Sequence, residues 1–426
     1  MWDRTTRPTV ALIAGVCAVL IAGCATTTTA GTAIPAKQAP DGGAIVALMD
    51  TGDYATAASR PFGTAGDDPY SGALLEADRI ADYTVGPWEI DAEINTLPAP
   101  VNLSLVGPVA STDDMTRNRI FDPPVAAAAG ANGFVSGFAT VRTTPSTAKQ
   151  QRSLQNVVLR FPDPAAATAA ATQMAAAFTP WPGSSPPQPV TLTELPETVA
   201  ITFTMPDQGQ RMVSFTPHGA YVFYTVVQVS DYLLGADTEN LSRGTIDLQK
   251  TRIDQFTATD LPALKDLPLD PTGQLLAKTL VAPDNRAPFL LGIWKPRGWL
   301  HFAVDPIKTI SLFSTAGVDQ VSQRLTTVYQ AANPDGAVRV ADGLTEQIGS
   351  FANVHGIEGV RGLPAAKCYQ RTVGLLPATA PITWQRVQWA FSCVATVDRY
   401  AYTAFSTTAE DARQQMGAQY RILAGQ

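Results

Sequence analysis

Three groups of residues in this chain have the types and spacing to do chemistry, and the clearest is a single thiol. Cys24 follows Ile21, Ala22 and Gly23, which is the pattern of a bacterial lipobox. In such a pattern the chain is cut after Gly23 and the sulfur of Cys24 carries a diacylglycerol. Two acyl chains anchor a protein stably, whereas one binds a membrane only marginally. The residues therefore predict a lipid anchor at Cys24.

The residues before Cys24 have the layout of an export signal. Arg4 and Arg7 precede an uncharged apolar run of twelve residues from Val10 to Ile21. A spanning helix needs about 20 apolar residues, so the run is too short to cross a bilayer. We expect residues 1–23 to be a signal peptide. Residues 24–44, rich in Thr, Ala, Gly and Pro, are predicted to form a flexible stalk.

The second group is a pair of cysteines near the C-terminus. Of the four cysteines, Cys17 leaves with the signal and Cys24 takes the lipid, so Cys368 and Cys393 remain. An even pair in an oxidising compartment is expected to form a disulfide. Neither cysteine lies in a Cys-x-x-Cys motif, which favours a structural bridge over a redox pair.

The third group is Ser146 and Lys149, which match the Ser-x-x-Lys motif of penicillin-binding proteins. That chemistry also needs Ser-Asp-Asn and Lys-Thr-Gly motifs, and the chain has neither. It also lacks a Gly-x-Ser-x-Gly elbow and a clustered set of histidine and cysteine ligands for zinc. The sequence therefore predicts no catalytic residue, no metal ligand and no cofactor.

Aromatic and basic residues concentrate after residue 290. Trp294, Arg297, Trp299 and His301 could form a ligand surface, because sugars and lipid headgroups are often held by aromatic rings beside arginine. The alternative is that the tryptophans fill a core between strands.

The elements that position these residues suggest two α+β domains. Strands that pair through hairpins, with helices packed on one face of a mainly antiparallel sheet, are expected in residues 45–275 and 286–426. The formal net charge of −7 argues against nucleic acid as a partner.

Local patterns give the elements in more detail. Asp163 followed by proline predicts a helix that ends at Phe178. Residues 211–215 and 221–229 flank a Pro-His-Gly turn and predict a hairpin. We further expect a strand at residues 310–313. Four apolar residues at helical spacing predict a helix after it, namely Val318, Val321, Leu325 and Val328.

Several short strings resemble those of a family of actinobacterial lipoproteins of unknown function, found among mycobacteria, nocardiae and rhodococci. They are residues 83–91, Cys393, the Asp-Arg-Tyr string at 398–400, and residues 418–423. The resemblance spans most of the chain and implies a cell-envelope lipoprotein with two α+β units. It implies no activity and no catalytic residues.

The leading expectation is a non-enzymatic lipoprotein that binds an envelope protein, glycan or lipid at the outer face of the membrane. One alternative is an envelope hydrolase whose catalytic residues are scattered along the chain. The other is a substrate-binding lipoprotein of an importer, which usually has two lobes of parallel strands.

Overall fold

The computed structural model of the chain describes residues 26–29, 32–35, 43–206, 208–230, 235–282, 292–376 and 382–425. Gly23 and Cys24 lie outside these ranges, so signal cleavage and lipidation stay predictions. The chain divides into two compact units, residues 1–39 and 40–426. The first contains an antiparallel pair, β1 (Thr26–Thr29) and β2 (Thr32–Pro35). The second contains two larger sheets.

The N-terminal domain holds the first of these sheets. Its strands are β3 (Gly107–Val109), β4 (Ser136–Thr143), β5 (Arg152–Arg160), β6 (Gln188–Val190), β7 (Val199–Met205), β8 (Gly209–His218) and β9 (Tyr221–Val229). Its helices are α1 (Pro69–Ala81), α2 (Thr112–Arg117), α3 (Pro123–Ala131), α4 (Pro164–Ala177) and α5 (Gly235–Ile253).

The C-terminal domain holds the second sheet. Its strands are β10 (Gly292–Trp294), β11 (Gln320–Gln323), β12 (Thr327–Gln330), β13 (Val354–Ile357), β14 (Lys367–Arg371), β15 (Phe391–Val397) and β16 (Tyr400–Ser406). Its helices are α6 (Pro296–Leu300), α7 (Pro306–Ala316), α8 (Pro334–Gly349), α9 (Ile382–Gln385) and α10 (Ala409–Ala424). Short 3-10 helices lie at Val46–Leu48, Pro87–Glu89, Pro100–Leu105 and Leu261–Asp266.

The two sheets have the same plan. Both have seven strands, in the spatial orders β3-β4-β5-β9-β8-β7-β6 and β10-β11-β12-β16-β15-β14-β13. Neighbouring strands pair antiparallel throughout the described parts of both sheets. In each domain two helices follow the first strand, one follows the third and one follows the last. The predicted α+β class with two antiparallel sheets is therefore confirmed, and apart from α1 and α9 the two domains have the same order of strands and helices.

Helices cover both faces of each sheet, which is a fuller arrangement than the one-sided packing that the sequence suggested. In the N-terminal domain, α3 and α4 pack with Val157 and Val213, whereas α1 and α5 pack with Val158 and Met212 on the opposite face. Successive residues of a strand point to opposite faces, so both sides of these strands are apolar.

The two domains share one hydrophobic core. A single cluster of buried residues contains Phe138 and Ile246 of the N-terminal domain together with Trp299, Tyr329 and Val340 of the C-terminal domain. In the C-terminal domain this cluster lies on the side of α8. The helix α10 packs on the other side of that sheet, in a separate cluster with Val328 and Tyr402.

The prediction of a capped helix after Asp163 is confirmed. The carboxylate of Asp163 accepts a hydrogen bond from Ala166 N at 2.8 Å, Pro164 is the first helical residue, and the helix ends at Ala177. The predicted hairpin is β8–β9. Its turn places Gly219 at φ +54°, a backbone conformation that costs a residue with a Cβ more than it costs glycine.

The predictions for residues 310–328 are wrong. Residues 306–316 form helix α7, because Asp305 caps it, a proline starts it and Gly317 ends it at φ +63°. The apolar residues that follow belong to the hairpin β11–β12. Two short strands separated by a turn happened to give apolar spacings of three and four, which are also those of a helix.

A glutamine of the last helix closes each domain in the same way. Gln249 of α5 accepts a hydrogen bond from Val85 N at 2.8 Å and donates one to Tyr83 O at 2.9 Å. Gln419 of α10 accepts one from Leu280 N at 2.8 Å and donates one to Lys278 O at 2.8 Å. Both amides are buried. Each one bonds the carbonyl of one residue and the N–H of the residue two positions later, and so holds the segment that precedes the sheet of its domain.

Candidate functional site

The structure places the predicted aromatic residues inside the molecule. Trp294 lies on β10 and Trp299 on α6, and both are buried with Phe302 in the core that the domains share. His301 is also buried, and Arg297 has a half-exposed side chain. Three of the four residues therefore do not form an accessible ligand surface, which fits the alternative of a filled core.

At the centre of this core a buried arginine joins the domains. Arg142 of β4 donates from its terminal guanidinium nitrogens to four backbone carbonyls, those of Asn95, Leu300, His301 and Ala303, at 2.7–3.1 Å. Three of these carbonyls lie at or just after the end of α6, where a helix leaves backbone acceptors without intrahelical partners. The guanidinium also lies 5.3 Å from the ring centroid of Trp88. Burial lowers the pKa of Arg142 to about 9, so the side chain stays a cation at neutral pH.

His301 lies beside this arginine with both ring nitrogens engaged. Its Nδ1 is 3.0 Å from Thr140 Oγ1, and its Nε2 is 3.0 Å from Ala81 O. Since a carbonyl only accepts, Nε2 carries the proton and Nδ1 accepts from the threonine hydroxyl. Burial lowers the pKa of His301 to about 4. A neutral, enclosed imidazole with both nitrogens bonded is suited to joining elements rather than to exchanging protons with solvent.

Charged side chains form the rim of the junction. Glu89 accepts hydrogen bonds from Arg252 at 2.8 and 3.1 Å and from Arg297 at 3.2 Å. Burial would raise the pKa of Glu89, but the hydrogen bonds and charge of Arg252 bring it below its ordinary value. Arg297, the exposed member of the predicted group, thus pairs across the domain boundary.

The structure joins Cys368 and Cys393 in a disulfide between the neighbouring strands β14 and β15. The Ser-x-x-Lys residues lie apart from this bridge. Ser146 and Lys149 are in the connection between β4 and β5, where the serine is exposed to solvent. His218 ends β8 and lies 2.7 Å from Asp254.

A further aromatic surface, which was not predicted from the sequence, lies beyond the end of α4. Trp181 is 37% exposed and lies 5.7 Å from Phe178 and 5.8 Å from Phe203, measured between ring centroids. The guanidinium carbon of Arg211 lies 4.5 Å from the centroid of the indole ring. Two short segments that are distant in sequence therefore hold one indole at the surface.

Polar side chains hold Arg211 in place beneath the indole. Its Nε donates to Gln228 at 2.9 Å, and a terminal nitrogen donates to Gln208 at 3.1 Å. The amide of Gln228 in turn donates to Gln208 O at 2.9 Å. Burial lowers the pKa of Arg211. We call Trp181, Arg211, Gln208 and Gln228 the indole platform: an exposed aromatic ring beside an ordered row of guanidinium and amide groups.

The local signal for this platform is the string Thr-Pro-Trp-Pro at 179–182, which ends α4. Proline is disfavoured inside helices and central strands, so a tryptophan between two prolines is expected in a loop. Loops run over the protein surface, which keeps this side chain near solvent. Nothing local pairs Trp181 with Arg211, which lies 30 positions later.

Two general features of the described residues bear on ligands. No group of three or more His, Cys, Asp or Glu side chains in the described ranges is arranged to hold a metal ion. None of the helices described is both long and apolar enough to cross a membrane.

Comparison with solved structures gives a distant likeness. The extracellular domain of PknH from Mycobacterium tuberculosis is 10% identical, with a TM-score of 0.28, over 41% of this chain and 96% of that one. No curated protein matches the chain.

The family comparison covers both domains. Residues 62–269 match the N-terminal domain of unknown function DUF7373, and residues 275–426 match the C-terminal domain of the same name. The chain therefore belongs to the DUF7373 family, to which no function is attached.

Proposed function

We propose that this protein is a non-enzymatic envelope lipoprotein of actinobacteria that binds an envelope glycan at the outer face of the membrane. The proposed location at the membrane rests on the signal-like residues 1–23 and on Cys24 in its lipobox. The disulfide between Cys368 and Cys393 supports it, since such bridges persist in oxidising compartments outside the cytoplasm.

The observation that carries the binding activity is the indole platform. A partly exposed tryptophan is among the commonest anchors of binding surfaces, because it supplies a large rigid area with little loss of conformational entropy. The ring of Trp181 offers its apolar area to the C–H face of a sugar, and the neighbouring amides suit hydroxyl groups. Arg211 is already fixed by two glutamines, so binding need not order it.

The experiment measures binding of the full chain to purified peptidoglycan sacculi and to soluble oligosaccharides released from them. Trp181→Ala should weaken binding about thirtyfold or more, the usual effect of truncating an aromatic anchor. Trp181→Phe should retain part of the affinity because it keeps an aromatic face.

Leu261→Ala is the matched control, since Leu261 is 41% exposed and lies outside the platform. Thermal unfolding of each variant checks that the fold is intact. Wild-type affinity in a folded Trp181→Ala protein would refute the platform. If the chain binds only an envelope protein or a lipid, that molecule and not a glycan is its ligand.

The proposal that the protein is not an enzyme has its own test. His301 is enclosed with both nitrogens bonded, and Ser146 stands in an exposed strand connection. Activity-based probes for serine and cysteine nucleophiles should leave the mature protein unlabelled. Labelling that is lost in Ser146→Ala would favour the envelope hydrolase instead.

A further inference from the structure

The segment that leads from the anchor into the body lies on the C-terminal domain, although the N-terminal domain follows it in sequence. We call residues 45–59 the strap. Ile45 N donates to Gly362 O at 2.7 Å, and Met49 is buried among residues of the α10 cluster. Further along, Ser59 N donates to Ala277 O at 2.9 Å. The chain thus reaches the C-terminal domain first.

Side chains of α10 fix the strap in place. Tyr54 Oη donates to Asp411 at 2.6 Å, and Gln414 Nε2 donates to Asp50 at 2.9 Å. A Cβ at Gly417 would lie 2.9 Å from the carbonyl oxygen of Asp50, so glycine lets the strap approach α10 this closely. The start of the body therefore has a defined position, beside the last helix.

The first turn of the strap exposes apolar side chains to solvent. Ile45 is 52% exposed and Leu48 is 41% exposed, although both adjoin the buried Met49. The close contact that fixes this turn is with Gly362, where a Cβ would lie 3.0 Å from Leu48 Cβ and 2.5 Å from Ile45 O. Arg361, which precedes that glycine in the sequence, is a cation exposed to solvent.

The length of chain before this turn limits its distance from the anchor. Cys24 precedes Ile45 by 21 positions, and a stalk of that length would have a root-mean-square span of about 25 Å if it behaves as its composition predicts. A lipid on Cys24 would therefore hold the exposed apolar turn close to the bilayer.

We infer that the strap turn formed by Ile45 and Leu48 rests on the membrane surface, so that the C-terminal domain faces the bilayer. The inference rests on the proposed lipid anchor. The occupant of this surface is the headgroup region of the bilayer, which takes exposed aliphatic side chains about 5–10 Å deep and places phosphates within reach of arginine. In this orientation the face with α10 is near the membrane.

The test uses the full lipidated chain, purified from bacterial membranes and reconstituted into vesicles of phosphatidylcholine with phosphatidylglycerol. Leu48→Cys gives a thiol for an environment-sensitive fluorophore, because Cys17 leaves with the signal, Cys24 carries lipid and the other two cysteines form the disulfide. Val199→Cys on β7 is the matched control, with a residue that is 40% exposed in the N-terminal domain. Ile45→Cys is a second position on the strap.

At positions 48 and 45 we expect a blue shift and the loss of most fluorescence when the vesicles contain a lipid with a nitroxide near the headgroup. At position 199 we expect neither change. Equal quenching at the control, or none on the strap, would overturn the inference. The mass of the purified chain separates this failure from that of the anchor. Lipid on Cys24 without quenching refutes only the strap contact, whereas its absence refutes both.

Discussion

The two domains have the same strand order, but different parts of the molecule pack against their corresponding faces. The difference shows how a repeated domain buries the faces that its neighbour does not cover. The N-terminal sheet places its α5 face in the core shared with the C-terminal domain. The C-terminal domain contributes the face with α8, which corresponds to α4 in the order of elements, so the contact is head to tail. Such a heterologous contact leaves the α10 side of the C-terminal domain and the α4 side of the N-terminal domain without a partner domain. The strap packs on the α10 side.

The domains also differ in the length of their strand pairs. In the N-terminal sheet, β5 pairs with β9 and β8 pairs with β9 over nine residues each. The corresponding pairs β12–β16 and β15–β16 extend over four and seven residues. The pair β14–β15 has four residues, where its counterpart β7–β8 has seven. The disulfide lies in the domain with the shorter pairs. A cross-link stabilises mainly by restricting the unfolded chain, so it can offset pairing that short strands do not supply.

The largest effect should come from the junction that holds the domains together. Arg142→Met removes the donors of four buried carbonyls, and we expect the free energy of unfolding to fall by about 4 kcal/mol. Denaturant unfolding measures this, and a second transition would show that the domains unfold separately. Arg297→Met, at the exposed rim, should cost less than about 1 kcal/mol. Equal losses in both variants would contradict a special role for the junction.

Removing the disulfide should affect one domain. The double variant Cys368→Ala/Cys393→Ala opens a loop of 25 residues in sequence separation, which the chain-entropy model values at about 3 kcal/mol. Amide hydrogen exchange should quicken in β14 and β15 and stay unchanged in β7 and β8. Comparable loss of protection in both sheets would mean that the domains do not differ in this respect.

Lowering the pH should weaken the junction through His301. Its pKa is lowered to about 4 in the folded protein from 6.5, so the unfolded chain binds the proton first. The stabilising contribution is complete above pH 6.5 and is lost as the pH falls toward 4. Between pH 7 and 5 we expect the free energy of unfolding to fall by about 2 kcal/mol from this group.

Two variants isolate the effect of this histidine. His301→Gln should remove the pH-dependent part of the loss, whereas His218→Gln, at a partly exposed histidine, should retain it. Denaturant titrations at each pH measure the difference. An unchanged slope in His301→Gln would assign the effect to another group.

The smallest effects test whether the two domains are closed alike. Gln249→Leu and Gln419→Leu each leave a buried N–H and a buried carbonyl without their side-chain partner, at a cost of about 1–2 kcal/mol. The two losses should be similar, because the bonds correspond one to one. A large loss of stability in only one variant would show that the two glutamines have the same hydrogen-bond geometry but do not contribute equally to the free energy of unfolding.

Much of the fold could be predicted where the signal is local. The cap at Asp163 and the turn at Gly219 each lie within a few residues of the bonds that they make, and both predictions are confirmed. The hairpin β11–β12 was wrongly predicted as a helix, because its four-residue strands are too short to show the alternation of apolar and polar residues that is typical of a strand. The junction could not be predicted at all. Arg142 bonds to carbonyls more than 150 positions later, and a strand arginine resembles any solvent-facing one.

The strap also has a consequence for the order in which this molecule can mature. A ribosome makes residues 45–59 early, whereas Asp411 and Gln414, to which they bind, come near the end of the chain. The bond between Tyr54 and Asp411 spans 357 positions. The opening segment must therefore wait, undocked, until the final helix has been delivered and folded. Its docking is therefore a late folding step, which a chain that lacks α10 cannot complete.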